Sequence, residues 1–446
     1  MIQSADNSRK ERVLVVNLGC PKNLCDTESM MGELAESGHS FVADPADATA
    51  VLINTCTFIE DATIESLDTI VEFANMRQAG DIRLLVVAGC LAQRDPESLR
   101  EQFPEVDAWL GTGDFGAVVE AFAKAGRGET FCRVNPPRLM PESKTPRFRT
   151  TPAHYAYIKI ADGCSNRCSY CIIPSLRGPY RSRSVDAVVE ESEQLADSGT
   201  RELILVAQDV TRFGEDRGQP GQLPDLLSRL DSIDAIRWIR IMYAYPARIT
   251  DRLIESVASL PKVVHYIDMP IQHADLRMLK AMNRSDTPET LRACIERIRT
   301  AIPDVALRTS VMVGFPGETD EMFSTLLEFI DEIKFDRLGA FCYSAEDGTP
   351  AATMDCQVSK QVADERLDAV MRLQQTISQK KHDELVGRRL QVIMDGPDIG
   401  RTYRDAPDID GTVNVTGYSG PPGEFVDVNI TTADVYDLGG YVTKSK

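Results

Sequence analysis

Three cysteines in the stretch DGCSNRCSYCIIPSLRG, residues 162–178, are spaced to hold a metal centre. Cys164, Cys168 and Cys171 follow the pattern C-x3-C-x2-C. A structural zinc site closes with four ligands, and the nearest histidine, His154, lies beyond a predicted strand. Three thiolates would also make zinc a poor Lewis acid for hydrolysis. A 4Fe–4S cluster with one open iron is the best match, with zinc and unliganded thiols as alternatives.

A second set of cysteines follows three predicted strands. RVLVVNLGC ends in Cys20, VLINTC ends in Cys56 and RLLVVAGC ends in Cys90. Ligands of open α/β sheets bind at the carboxyl ends of the strands, so parallel pairing would gather these thiols at one edge. Buried structural cysteines are the alternative. The repeated placement favours a metal site.

The fold class that positions these residues is α/β. Residues 11–130 alternate short β runs with amphipathic helices, as in a parallel sheet covered by helices. Residues 155–381 contain six β-rich runs, which predicts a partial (βα)6 barrel because a complete one has eight. The C-x3-C-x2-C triplet follows the first of these strands, where active sites of such folds lie.

Two further segments complete the domain organisation. Residues 133–154 carry five prolines and several basic residues, which is typical of a linker or lid. Residues 383–446 read as short strands separated by glycine and proline, which predicts a small antiparallel barrel of the OB-like kind.

Composition indicates the cellular environment of the protein and the class of its partners. The polar start MIQSADNSRKER and the absence of a long apolar run predict a soluble cytoplasmic protein with no membrane contact. Eleven cysteines, an odd number, indicate reduced thiols rather than disulfides. The net charge of −19 favours a basic protein partner over nucleic acid, although it also serves solubility. Residues 383–446 hold six basic and eleven acidic residues, which argues against RNA binding by the barrel.

The cysteine triplet, with Tyr170 before its last member, resembles the motif of the radical S-adenosylmethionine (SAM) enzymes. The resemblance implies that SAM chelates the open iron and that reduction of the cluster yields a 5′-deoxyadenosyl radical. It also implies a set of SAM contacts. For the two arginines the alternative is a solvated side chain, and for the segment GFPG it is an ordinary turn. These residues are Tyr170, Gln208, Asp209, Arg181, Arg183, Val313 and Gly314.

The order of the three parts resembles the radical SAM methylthiotransferases along nearly the whole chain. That family implies a second 4Fe–4S cluster on Cys20, Cys56 and Cys90, a carboxyl-terminal TRAM domain, and two SAM molecules per turnover. One SAM methylates a cluster-bound sulfur and the other makes the radical. Cys25 is an additional thiol near the first set. The sequence assigns no role to Lys159 or His273.

The family has two branches with different substrates. One modifies an adenosine of tRNA, and the other modifies the β-carbon of an aspartate in small-subunit ribosomal protein twelve. GCPKN, CIIPSLRGPYRSR and YIDMPIQHAD resemble the second branch, and the acidic barrel agrees because ribosomal proteins are basic. We therefore expect the ribosomal-protein activity, a flavodoxin-like or ferredoxin-like electron donor and a monomer. The tRNA activity, and an electron-transfer or sulfur-carrier protein without SAM chemistry, are the alternatives.

Overall fold

The computed structural model describes residues 10–138, 140 and 146–443. Leu139 and residues 141–145 of the predicted linker lie outside the described residues. The chain divides into two compact units, and two short pieces of the cysteine-rich loop belong to the first. The first unit comprises Met1–Thr150, Asp162–Asn166 and Cys171–Arg181; the second comprises Thr151–Ala161, Arg167–Tyr170 and Ser182–Lys446.

The first unit is built on a six-stranded parallel sheet in the order β2-β1-β3-β4-β5-β6. The central strands are apolar on both faces because helices cover both sides of the sheet. The strands are β1 (Arg12–Asn17), β2 (Ser40–Val42), β3 (Ala50–Thr55), β4 (Leu84–Gly89), β5 (Ala108–Leu110) and β6 (Phe131–Arg133). The helices are α1 (Pro21–Glu36), α2 (Glu60–Ala79), α3 (Cys90–Arg94), α4 (Pro96–Gln102) and α5 (Val118–Gly126).

The second unit contains another six-stranded parallel sheet, in the order β14-β13-β12-β11-β10-β7. Its strands coincide with the six predicted β-rich runs, so the (βα)6 prediction is confirmed. They are β7 (Tyr155–Lys159), β10 (Glu202–Val206), β11 (Trp238–Ile241), β12 (Val263–Asp268), β13 (Ala306–Val313) and β14 (Arg337–Cys342). Between β7 and β10 the chain forms β8 (Ala161–Asp162), α6 (Ile173–Arg177) and β9 (Arg181–Ser182).

In the described part of the second unit, seven α-helices follow in chain order. They are α7 (Val185–Asp197), α8 (Leu223–Asp231), α9 (Asp251–Ser259), α10 (Leu276–Ala281), α11 (Pro288–Ala301), α12 (Asp320–Ile333) and α13 (Lys360–Asp383). Among the residues that the structure describes, no helix combines the length and the apolar character that crossing a membrane requires.

The carboxyl-terminal part of the second unit is a closed five-stranded barrel in the order β15-β16-β17-β19-β18. This confirms the predicted small barrel, with one parallel pair, β17 with β19. The strands are β15 (Arg389–Met394), β16 (Ile399–Thr402), β17 (Val413–Thr416), β18 (Phe425–Ala433) and β19 (Leu438–Val442).

Buried ion pairs join this barrel to the parallel sheet of the same unit. Glu202, at the start of β10, bonds Arg240 of β11 at 2.9 Å and Arg401 of β16 at 2.8 Å. The hydroxyl of Tyr266 on β12 donates to Asp410 at 2.7 Å. The barrel is therefore fixed to the sheet by polar contacts inside the unit and not by apolar packing alone.

Candidate active site

The first set of cysteines lies at the carboxyl edge of the first unit's sheet. Strands β1, β3 and β4 are parallel neighbours. Cys20 follows β1 by three residues, Cys56 directly follows β3, and Cys90 directly follows β4. The three thiols are near enough to interact electrostatically with one another. The fold thus brings these residues together, and their role as cluster ligands stays a prediction.

Two glycines allow this close approach of the strand ends. Gly19 and Gly89 have φ values of +92° and +102°, a region that glycine enters without steric cost. A Cβ atom on Gly19 would lie 2.8 Å from the Cβ of Cys56 and 2.9 Å from its sulfur. A Cβ atom on Gly89 would lie 2.5 Å from the carbonyl oxygen of Thr55. Small residues at both positions are therefore required by the packing around the thiols.

Gly19→Ala is expected to destabilise the protein by about 2–4 kcal/mol, since it adds a collision with Cys56 to backbone strain. It should also lower the iron content of the reconstituted protein. Urea unfolding and iron analysis measure both effects. Gly80→Ala is the matched control, because Gly80 also has positive φ, +84°, but no atom lies within 4 Å of its added Cβ. Equal losses in the two variants would contradict the crowding at Cys56.

Hydrogen bonds fix the backbone around the three thiols. The side-chain amide of Asn23 donates to the carbonyl oxygens of Leu18 at 2.9 Å and Thr55 at 3.0 Å. The backbone N–H of Cys56 donates to the Ser66 hydroxyl at 3.0 Å, and that hydroxyl donates back to the Cys56 carbonyl at 2.8 Å. The bonds of Asn23 connect the end of β1 to the end of β3. The bonds of Ser66, which lies on α2, attach Cys56 to that helix.

The three thiols have different acidities. Burial raises the pKa of Cys90 to about 12 and also raises the pKa of Cys56. Burial acts in the same direction on Cys20, but Lys22, Arg177 and nearby backbone N–H groups outweigh it and lower the pKa of that thiol. Bound metal replaces the protons of such thiols, so binding at this edge is expected to release protons.

The donor set fits an iron–sulfur cluster better than a single metal ion. Within the described residues, no group of three or more His, Cys, Asp or Glu side chains could hold one metal ion. A 4Fe–4S cluster distributes its thiolates over separate irons, so its ligands need not converge on one point. Three soft thiol donors at one edge, with no carboxylate among them, match that chemistry.

The second set of cysteines is divided between the two units. In the first unit, Cys164 is buried and its backbone N–H donates to the Gly178 carbonyl at 3.1 Å. Cys171 lies in the same unit, two residues before α6. In the second unit, Cys168 is followed by Ser169, whose backbone N–H donates to the Met282 carbonyl at 3.0 Å. Each piece of the loop is thus anchored within its own unit.

Tyr170 packs against a methionine-rich cluster of the second unit. The buried members of that cluster are Met278, Met282, Met312, Phe315, Met322 and Ala351. Arg284 interacts electrostatically with both Tyr170 and Cys168, and its guanidinium stacks 4.3 Å from the ring of Tyr245. Sequence reasoning missed Arg284, which is 114 positions from Tyr170 in the chain and has no local motif.

Four predicted SAM contacts lie at the carboxyl edge of the second unit's sheet. Gln208 and Asp209 follow β10, Val313 ends β13, and Gly314 follows it. Asp209 is buried and accepts a hydrogen bond from the backbone N–H of Thr211 at 3.1 Å. Because β10 and β13 belong to one parallel sheet, these residues share an edge, as the prediction requires.

The two predicted arginines contact protein groups. Arg181, in the first unit, donates to the carbonyl oxygens of Arg177 at 2.9 Å and Pro179 at 2.7 Å. Arg183, in the second unit, pairs with Glu191 and donates to the Ala187 carbonyl at 3.1 Å. Their contact with SAM stays a prediction. Arg181 binds carbonyl oxygens of the cysteine-bearing loop, whereas the partners Glu191 and Ala187 of Arg183 lie on α7.

A buried network supports Gly314. The carboxylate of Glu318 accepts from the Gly314 N–H at 2.6 Å and from Arg366 at 2.8 Å, and it lies 3.0 Å from Nε2 of His273. His273 is therefore part of a polar support for the edge. Glu318 is the last residue of the motif GFPGE, so the sequence pointed to it. Arg366 lies on α13, and no motif in the sequence pointed to its role. Lys159, at the end of β7, accepts at its carbonyl from Arg183 at 3.4 Å.

Cys25, the additional thiol, is buried on α1. Its sulfur accepts a weak hydrogen bond from Arg147 at 3.8 Å. This places Cys25 in contact with a side chain of the first unit.

Comparison with known families defines the class of protein. Residues 158–330 match the radical SAM superfamily. Residues 12–111 match the family described as uncharacterized protein family UPF0004, and residues 386–442 match the TRAM domain. These matches define a radical SAM enzyme with an additional cysteine-bearing sheet domain and a carboxyl-terminal TRAM barrel.

Curated relatives resolve the class further. Ribosomal protein uS12 methylthiotransferase RimO of Geobacter sulfurreducens is 46% identical over 444 residues, which cover 98% of this chain and 99% of the relative. RimO of Clostridioides difficile is 43% identical, with 97% and 98% covered. The chain therefore belongs to the RimO family of radical SAM methylthiotransferases, which use SAM and two 4Fe–4S clusters.

Solved structures agree on the fold. The radical SAM methyltransferase TsrM of Kitasatospora setae matches with a TM-score of 0.55 at 13% identity, covering 88% of this chain and 80% of that one. At this identity the likeness concerns the fold alone.

Proposed function

We propose that this chain transfers a methylthio group to the β-carbon of an aspartate in ribosomal protein uS12. The observation that carries the proposal is the similarity along 97–98% of the chain to proteins named for activity on uS12. The three gathered thiols of the first unit support it, because sulfur transfer requires a centre besides the one that binds SAM.

The residues divide between two centres. Cys164, Cys168 and Cys171 would hold the cluster that binds SAM, and Cys20, Cys56 and Cys90 would hold the other. When bound, SAM and the two clusters supply the methyl group, the carbon radical and the transferable sulfur. The chain itself binds and orients them. Contacts to SAM are assigned to Tyr170, Gln208, Asp209, Arg181, Arg183, Val313 and Gly314.

The partners follow from charge and chemistry. A chain of net charge −19 attracts a basic ribosomal protein and repels the phosphates of tRNA. Reduction of a cluster requires an electron donor, for which we infer a flavodoxin-like or ferredoxin-like protein. We further infer that the enzyme acts as a monomer in the cytoplasm, where ribosomal proteins are made.

Mass spectrometry of uS12 tests this proposal. The protein is incubated with anaerobically reconstituted enzyme, SAM and reductant, with anticodon-loop RNA in a parallel reaction. We expect uS12 to gain one methylthio group in place of hydrogen, and uS12 with asparagine at the target aspartate to gain nothing. Modification of the RNA alone would instead indicate the tRNA activity. Intact clusters that neither respond to SAM nor cleave it would indicate an electron-transfer or sulfur-carrier protein.

A further inference from the structure

Arg177, the last residue of α6, is an arginine buried inside the first unit with 1% of its surface exposed. Its guanidinium donates to Asp26 at 3.0 Å, to the two oxygens of Asp162 at 3.0 and 3.1 Å, and to the Oδ1 atom of Asn23 at 2.5 Å. A buried guanidinium is tolerated when its charge is paired and its donors are used. Four hydrogen bonds to three side chains satisfy that condition.

The same guanidinium reaches the first set of cysteines. It interacts electrostatically with Cys90, Cys20 and Cys56. The Oδ1 atom of Asn23, which accepts from Arg177, also lies 3.9 Å from the Cys90 sulfur. Arg177 is thus a fixed positive charge beside all three thiols.

Arg177 also belongs to the loop that carries the second set of cysteines. It follows Cys171 by six residues, and its partner Asp162 precedes Cys164 by two. Within the first unit, Cys90 packs with Ile172 and Leu176 in one buried apolar cluster. The segment after Cys171 therefore packs directly on Cys90. At the end of this segment, Arg177 adds charged hydrogen bonds to the apolar contact.

The charges bonded directly to Arg177 are the carboxylates of Asp26 and Asp162, and Lys22 adds a further positive charge near Cys20. Nearby net charge and hydrogen bonds to sulfur set the reduction potential of an iron–sulfur cluster. Removing the cation of Arg177 would make reduction harder, because the reduced cluster carries more negative charge. Removing one carboxylate would make reduction easier for the same reason.

We propose that Arg177 is a positioning residue that sets the reduction potential of the cluster on Cys20, Cys56 and Cys90 and holds the Cys171 segment against it. This inference rests on the cluster assignment proposed above. Its partners Asn23, Asp26 and Asp162 hold the guanidinium in place near the thiols.

Redox titration of the reconstituted full-length enzyme, followed by electron paramagnetic resonance, tests the role. The relevant cluster is identified as the one that remains when Cys164, Cys168 and Cys171 are all replaced by alanine. We expect Arg177→Met to shift its midpoint potential to more negative values and Asp26→Asn to shift it to less negative values. Arg177→Lys, which keeps the charge, should restore most of the wild-type potential. Arg133→Met, at an exposed pair with Glu120 in the same unit, is the control and should cause no shift.

The two directions of shift separate this role from a structural one. Should Arg177→Met fail to fold, the nearly isosteric Asp26→Asn carries the test, with Arg177→Lys as the charge-conserving control. A wild-type potential in Asp26→Asn, at full iron content, would overturn the inference and leave the proposed function standing. A wild-type enzyme that assembles only the SAM-responsive cluster would overturn the proposed function, and this inference with it.

Discussion

Replacing Cys90 with alanine is expected to abolish methylthio transfer while SAM is still cleaved to 5′-deoxyadenosine. Cys90 belongs to the set at the edge of the first unit, and the SAM-binding set of cysteines stays complete in this variant. Loss of a group that only supports a metal ligand costs up to ~100-fold in activity, and loss of a ligand itself should lower the transfer rate by more than that. Chromatography of 5′-deoxyadenosine and mass spectrometry of uS12 measure the two activities in one reaction, and about half of the iron should be lost.

Two other cysteine variants serve as controls for this prediction. Cys164→Ala should lose both SAM cleavage and transfer, because it removes a predicted ligand of the SAM-binding cluster. Cys132→Ala should retain both, since Cys132 is an exposed cysteine on β6 of the same unit as Cys90. Transfer at the wild-type rate by Cys90→Ala would remove Cys90 from the proposed machinery.

The largest expected loss of stability follows Arg401→Met. Glu202 is fully buried between Arg240 and Arg401, and Arg401 also bonds both oxygens of Asp395 at 2.8 and 3.0 Å. Without Arg401, two acidic groups lose a buried partner, and breaking a buried pair in this way costs about 3–5 kcal/mol. Urea unfolding at neutral pH measures the loss. Arg389→Met is the control, because the pair of Arg389 with Asp427 is exposed and such pairs contribute about 0–1 kcal/mol.

The loss caused by Arg401→Met should depend on pH. Burial by itself would raise the pKa of Glu202, but Arg401 and Arg240 outweigh it and hold the pKa below its ordinary value. A carboxyl whose pKa is lower in the folded state stabilises the protein above its unfolded pKa of about 4.3 and ceases to do so as the pH falls through the folded pKa. The difference between wild type and Arg401→Met should therefore be full at pH 7 and shrink below about pH 4. A difference independent of pH, or one no larger than that of Arg389→Met, would contradict this account.

The sequence by itself determined the strands and the cysteine pattern. Hydrophobic runs and the C-x3-C-x2-C spacing are local, so Cys20, Cys56 and Cys90 could each be placed at a strand end without knowing the fold. The six strands of the second sheet were found for the same reason. Strands β2, β5 and β6 were not, because three residues are too short to show a period.

Only the tertiary structure decided which distant groups meet. Arg177 reaches Asn23 across 154 positions, and Arg401 reaches Glu202 across 199. No local sequence pattern encodes such pairs. A charged residue requires a partner only once the fold has buried it, and the fold also decides which residue lies beside it. The acidity of the TRAM barrel shows the consequence. Asp405 is buried against Arg337, and the side chain of Asp410, 3% exposed, contacts Arg308 and the hydroxyl of Tyr266 on the sheet. Part of the charge that the sequence suggested for binding a basic partner therefore serves to hold the barrel in place.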